Sequence, residues 1–154
     1  MENKETLASA APGRQGHSFQ DVTAPLSSPW GAVEECRVIG AGLWSVSTSG
    51  HGGILISEER QAALPAWAKD FRTFSGLSTA FEEDLDWAVP CAVWAQEFCH
   101  GDCLAAIRTI QGRVSYFTER GLDVDAALQR LATAGIPRDH KVRAIRRAVP
   151  EMER

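Results

Sequence analysis

Apolar residues recur along this chain in two rhythms. In Cys36-Arg37-Val38-Ile39 and Leu43-Trp44-Ser45-Val46-Ser47-Thr48, β-branched and aromatic residues dominate and the second stretch alternates with period two, as a half-buried strand does. Ser49-Gly50-His51-Gly52-Gly53 follows, then the apolar run Ile54-Leu55-Ile56-Ser57, so the spacing predicts strands joined by a glycine-rich turn into a hairpin. Ser57-Glu58-Glu59-Arg60 reads as a helix start with Ser57 as N-cap, and Pro65 limits that helix to about two turns. The segment 66–81 is irregular but carries Trp67, Phe71, Phe74, Leu77 and Phe81, which suits a packed loop or short helix.

From Phe81 onward the period changes to that of helices. Trp87, Cys91, Trp94 and Phe98 form one stripe, with Pro90 acceptable in a first turn. Asp102 is positioned to cap a helix in which Leu104, Ile107, Gln111, Val114 and Phe117 or Thr118 share a face, ending before Gly121. Asp123 caps a further helix with Val124, Ala127, Leu128 and Leu131 inward, stopped by Gly135 and Pro137, and another spans about 139–149. The expected fold class is α+β: a small antiparallel hairpin or sheet followed by a helical C-terminal half. Residues 1–30, rich in Ala, Ser, Pro, Gly and Gln, have neither rhythm and read as a flexible N-terminal arm; 31–154 read as a single domain with a helical hairpin at about 123–149.

With 154 residues, 44% of them hydrophobic, the chain is large enough to bury a core. No run reaches the roughly 18 apolar residues of a membrane helix and the N-terminus lacks a signal-peptide apolar stretch, so the expectation is a cytoplasmic protein whose four cysteines stay reduced. Net charge is −4 but unevenly spread: residues 1–104 hold six Lys/Arg against fourteen Asp/Glu, whereas 105–154 hold ten against six. An acidic body and a basic end follow.

Two stretches stand out as candidate chemistry. Three glycines around His51 allow positive φ and exposed amides, which suit close approach of an anion or another backbone; the plainer alternative is a strand-linking turn. Glu82, Glu83, Asp84 and Asp86 place four carboxylates within five positions at or before a helix N-terminus, where negative charge complements the helix dipole. If His51 folds onto them, a histidine–carboxylate pair could act as general base or help hold a cation. No zinc knuckle is completed by Cys99-His100-Gly101-Asp102-Cys103 with Cys36 and Cys91, and phosphate-loop, dinucleotide and metalloprotease signatures are absent, so no cofactor and no metal are expected. Arg138, Lys141, Arg143, Arg146 and Arg147 on the 123–149 hairpin are weak candidates for nucleic-acid contact.

Trp44 to Arg60 reads W-x-V-x-T-x-G-H-G-G-x-x-x-S-x-x-R; Leu64-Pro65 follows, and Phe81 to Trp87 reads F-E-E-D-x-x-W. This pattern resembles an uncharacterised domain family of phage- and plasmid-encoded proteins over roughly residues 43–98. The resemblance implies a mobile-element context in a bacterial host, where small acidic proteins block host defence. The expected function is therefore a non-enzymatic binding protein of the anti-CRISPR or anti-restriction type, docking on a host defence protein or nucleoprotein complex through Glu82, Glu83, Asp84, Asp86 and His51. The alternatives are a small enzyme using His51 with Glu82, Glu83 or Asp84, and a nucleic-acid-binding regulator acting through the 123–149 hairpin. No membrane partner is expected.

Overall fold

A computed structural model describes residues 18–134. Four antiparallel strands form one sheet in chain order: β3 (Glu35–Gly40), β4 (Leu43–Ser47), β5 (Gly52–Ile56) and β6 (Ala80–Glu82). A two-residue ribbon, β1 (Ser27–Ser28) against β2 (Gly31–Ala32), precedes it. Among the described residues six helices follow or interleave: α1 (Glu58–Ala62), α2 (Ala66–Lys69), α3 (Ala88–Val93), α4 (His100–Gly112), α5 (Val114–Glu119) and α6 (Val124–Ala134), with a 3₁₀ turn at Ala95–Glu97. The arrangement is α+β, as the two rhythms of the sequence require. No helix among the described residues is long and apolar enough to cross a membrane.

Alternation decides what each sheet face meets. Leu43, Ile54, Ile56 and Phe81 point into the main core with α3, α4 and α6, which pack against one another. Trp44, Val46, Leu55 and Ala80 point the other way and are covered by Ala24, Trp30 and Val33. Burial on both faces is why β5 reads as an unbroken Gly-Gly-Ile-Leu-Ile run, buried throughout. It also corrects the extent of the N-terminal arm: residues assigned to it from composition cover one side of the sheet, and Phe19 packs edge-on against Trp94 with ring centres 6.2 Å apart.

Three further expectations are corrected. Phe81 and Glu82 lie in β6 rather than at a helix start, because Ala80–Glu82 pair with the otherwise open edge of β5, Ile54 opposite Phe81. The stripe Trp87–Phe98 is not one helix: α3 ends at Trp94 and the 3₁₀ turn brings Phe98 round to the core. The helix expected to run from Asp102 to Gly121 breaks at Arg113 (φ −141°, ψ 46°), next to Gly112, a poor helix former. Its N-cap is Cys99, whose sulfur accepts from the Asp102 amide at 3.4 Å, so Gln111 and Val114 end up exposed. Ser57 and Asp123 do cap their helices, accepting from the Arg60 and Ala126 amides at 3.2 and 3.1 Å. Of the hairpin expected at about 123–149 the first arm is α6, and the helix expected at 139–149 lies outside the described residues.

Arg60, in the first turn of α1, is 1% exposed. Its Nη1 and Nη2 donate to Glu97 Oε2 and Oε1, each at 2.9 Å, and its Nε donates to the Ala41 carbonyl at 2.7 Å. The rings of Phe19 and Trp94 lie 4.2 and 4.9 Å from the guanidinium carbon. Removing one partner leaves a buried charge unpaired, so Glu97→Ala is expected to cost about 3–5 kcal/mol, whereas the double variant Arg60→Met/Glu97→Leu recovers part of that loss. Urea unfolding of both variants checks this, and equal midpoints for Glu97→Ala and the wild type would refute it.

Candidate functional site

The loop from β4 to β5 is held by one hydroxyl. Thr48 Oγ1 donates to the His51 carbonyl at 2.7 Å and accepts from the Gly50 and His51 amides at 3.3 and 3.1 Å. The Thr48 amide closes the turn onto the same carbonyl at 2.8 Å. His51 is left exposed at the tip.

None of Gly50, Gly52 and Gly53 has positive φ, so of the two readings of this stretch the structure shows the strand-linking turn. Gly52 and Gly53 belong to β5, and their missing side chains matter through close approach. A Cβ on Gly53 would strike the Phe81 carbonyl and lie 2.7 Å from the Trp30 ring; one on Gly52 would meet the Val46 carbonyl at 2.6 Å and crowd the Glu83 carboxylate at 3.1 Å. Nothing near Gly50 explains a glycine there.

The turn and the acidic run meet. The Glu83 amide donates to the Gly52 carbonyl at 2.9 Å, and His51 Nδ1 lies 3.9 Å from Glu83 Oε2. One ligand-capable atom each from His51, Glu82 and Glu83 fall within 4.8 Å of one another. Glu82 is 8% exposed, and burial pushes its carboxyl above the ordinary value, the Asp84 amide opposing and the charges of Asp84 and Asp86 reinforcing the rise. Asp84 is exposed.

Asp86 does not belong to this face, which corrects its place among the binding carboxylates. It is fully buried and accepts from the Phe74 amide at 2.6 Å and the Tyr116 hydroxyl at 2.7 Å. Arg120 stacks on the Tyr116 ring, and its Nε and Nη2 donate to the Arg72 and Thr73 carbonyls at 2.6 and 3.0 Å. The carboxylate therefore fastens the loop before β6 to α5. Its bond with Asp86 and its burial push the Tyr116 hydroxyl upward.

Beside Glu83 an open groove of about 560 Å³ runs between β3–β4 and the helices. Glu35, Glu83 and Asp102 bring carboxylates to it, Arg37 a guanidinium, and Trp87 and Phe98 aromatic surface. Glu35 and Asp102 escaped the reading of motifs. A signal was present in β4, where Leu43, Ser45 and Ser47 share a face that turns from apolar to polar toward the end the helices leave uncovered.

The cysteines are all free: Cys91 and Cys103 are buried and Cys36 and Cys99 exposed. The bond with Cys103 and burial push the Cys91 thiol up. Cys103 donates to the Ala95 carbonyl at 3.5 Å while Cys99 serves as a helix cap, so the pair is engaged separately. Arg138, Lys141, Arg143, Arg146 and Arg147 lie outside the described residues.

A family model for a domain of unknown function, DUF7007, matches residues 23–120, well over half of the chain. The chain belongs to the DUF7007 family. The match contains the motif-bearing stretch 43–98 and carries no statement of activity. No curated protein and no solved structure matches this DUF7007 chain.

Asp86 yields a test of the site's scaffold. Burial outweighs the Phe74 amide, Tyr116 hydroxyl and Arg120 charge and holds its carboxyl above the ordinary value. An acid whose pKa is raised in the folded state supports folding fully below its unfolded pKa, and that support is lost as pH rises through the folded value. Asp86→Asn, neutral throughout, is expected to flatten the stability profile in that window. The variant's deficit relative to the wild type is therefore largest at the acid end and shrinks as pH rises. Urea midpoints measured from about pH 4 to 7 decide the matter, an unchanged slope in the variant counting against it.

Proposed function

We propose that this DUF7007 domain is a non-enzymatic binding module whose groove receives a basic segment of a partner protein. The observation that carries the reading is the convergence of Glu35, Glu83 and Asp102 in one open groove with Trp87 and Phe98. Carboxylates attract lysine and arginine, and the half-buried Trp87 ring adds cation–π attraction for the same side chains. The phage and plasmid context implied by the motif resemblance makes the partner class a host defence protein or nucleoprotein complex in the bacterial cytoplasm, whose nucleic-acid-binding surfaces supply basic segments. The 3.9 Å approach of His51 to Glu83 favours a second reading, general-base catalysis by His51.

A hexalysine peptide is the probe. Binding, followed by tryptophan fluorescence, is expected to weaken with added salt, since exposed charges are screened over about 8–10 Å. Glu35→Lys with Asp102→Lys should weaken it about tenfold or more. Salt-independent binding, or full affinity in the double variant, would overturn the groove reading.

A further inference from the structure

We propose that His51, Glu82 and Glu83 together form a site for one divalent transition-metal ion of the zinc type. The three residues come from the β4–β5 turn and the end of β6, which the ladder between β5 and β6 holds together: Gly53 pairs with Glu82, and the Glu83 amide is bonded to the Gly52 carbonyl. His51 Nδ1 and Glu83 Oε2 stand 3.9 Å apart, beyond hydrogen-bond reach. Two donors each about 2.0–2.2 Å from a common ion lie about 3–4 Å from one another, so the gap is the width an ion fills. The third donor atom, from Glu82, is within 4.8 Å of the other two.

Glu82 supplies an independent reason. Its residue is 8% exposed, no ion pair reaches it among the described residues, and the charges acting on it are those of Asp84 and Asp86, both negative. A carboxylate held beside two like charges is costly even with the Asp84 amide bonded to it, and a divalent ion at this point supplies positive charge. Gly52 completes the arrangement, since a side chain there would crowd the Glu83 carboxylate. One imidazole nitrogen with two carboxylates suits Zn²⁺ better than Mg²⁺ or Ca²⁺, which take oxygen donors. Three protein ligands leave at least one coordination position to water, at the point where Glu83 also enters the groove.

The proposal shares Glu83 with the groove reading, but its failure is distinguishable, because its probe is the metal alone and its decisive variant, His51→Ala, leaves Glu35, Glu83 and Asp102 untouched. The full chain, stripped with a chelator, is titrated calorimetrically with zinc chloride and separately with magnesium chloride. The expected result is one equivalent of Zn²⁺ bound, a response in the His51 ring proton resonances, and no Mg²⁺ binding at the same concentrations. His51→Ala and Glu83→Gln, both at exposed positions and checked for folding by circular dichroism, should each weaken that equivalent about tenfold or more. The double variant Cys99→Ser/His100→Ala, which removes the other cluster of soft donors, should retain it. Zinc binding unchanged in His51→Ala, binding lost in the Cys99/His100 variant while His51→Ala keeps it, or no binding up to about 100 μM would each overturn the site.

Discussion

The buried guanidinium of Arg60 is the constraint around which the segments are arranged. An arginine at 1% exposure pays heavily in lost hydration unless its donors and faces are occupied. Here the occupants come from four places: Glu97 in the 3₁₀ turn, Ala41 in the β3–β4 turn, Phe19 ahead of the sheet and Trp94 at the end of α3. The fork of the guanidinium matches one carboxylate at two equal distances, which fixes orientation as well as proximity. The glycines at the end of β3 and in the β3–β4 turn answer to the same knot. A Cβ on Gly40 would collide with the Glu97 carboxylate, and Gly42, at φ 74°, gives up its space to the Ser57 hydroxyl that caps α1.

Asp86 performs a comparable task between the loop before β6 and α5. Its two oxygens receive the Phe74 amide and the Tyr116 hydroxyl, and Arg120 clasps the carbonyls of residues 72 and 73. The loop carrying exposed Phe74 and Leu77 is thereby held by polar bonds where apolar packing is thin. That loop delivers the chain into β6, and β6 delivers Glu82 and Glu83 to His51. The geometry of the exposed histidine–carboxylate group thus depends on the buried carboxylate of Asp86.

Covering the sheet unequally creates the groove. The N-terminal segment closes one face, while the helices close the other only over Leu43, Ile54, Ile56 and Phe81. Beyond them the same face carries Ser45 and Ser47, flanked by Glu35 and Arg37 on β3. Polar residues on an inward-facing row are tolerated because that row is open to water.

Local hydrogen bonding and periodicity determined a good part of this protein in advance. Ser57 and Asp123 cap helices through bonds spanning three residues, β4 alternates because its faces differ, and Val124, Ala127, Leu128 and Leu131 recur at the helical period and are all buried. The proximity of the glycine turn to the acidic run was also legible, since a histidine among glycines and a block of carboxylates are complementary. What only the tertiary structure decided involves partners far apart in the chain. Arg60 and Glu97 are 37 residues apart and Asp86 and Tyr116 are 30, and neither pair has a local pattern to announce it. Asp86 looked like one more solvated carboxylate because charge spacing says nothing of depth, and β6 looked like a helix start because three residues pair as a strand only when β5 offers an open edge. Short-range order is written in residue spacing; burial of a charge is set by which distant groups fold around it.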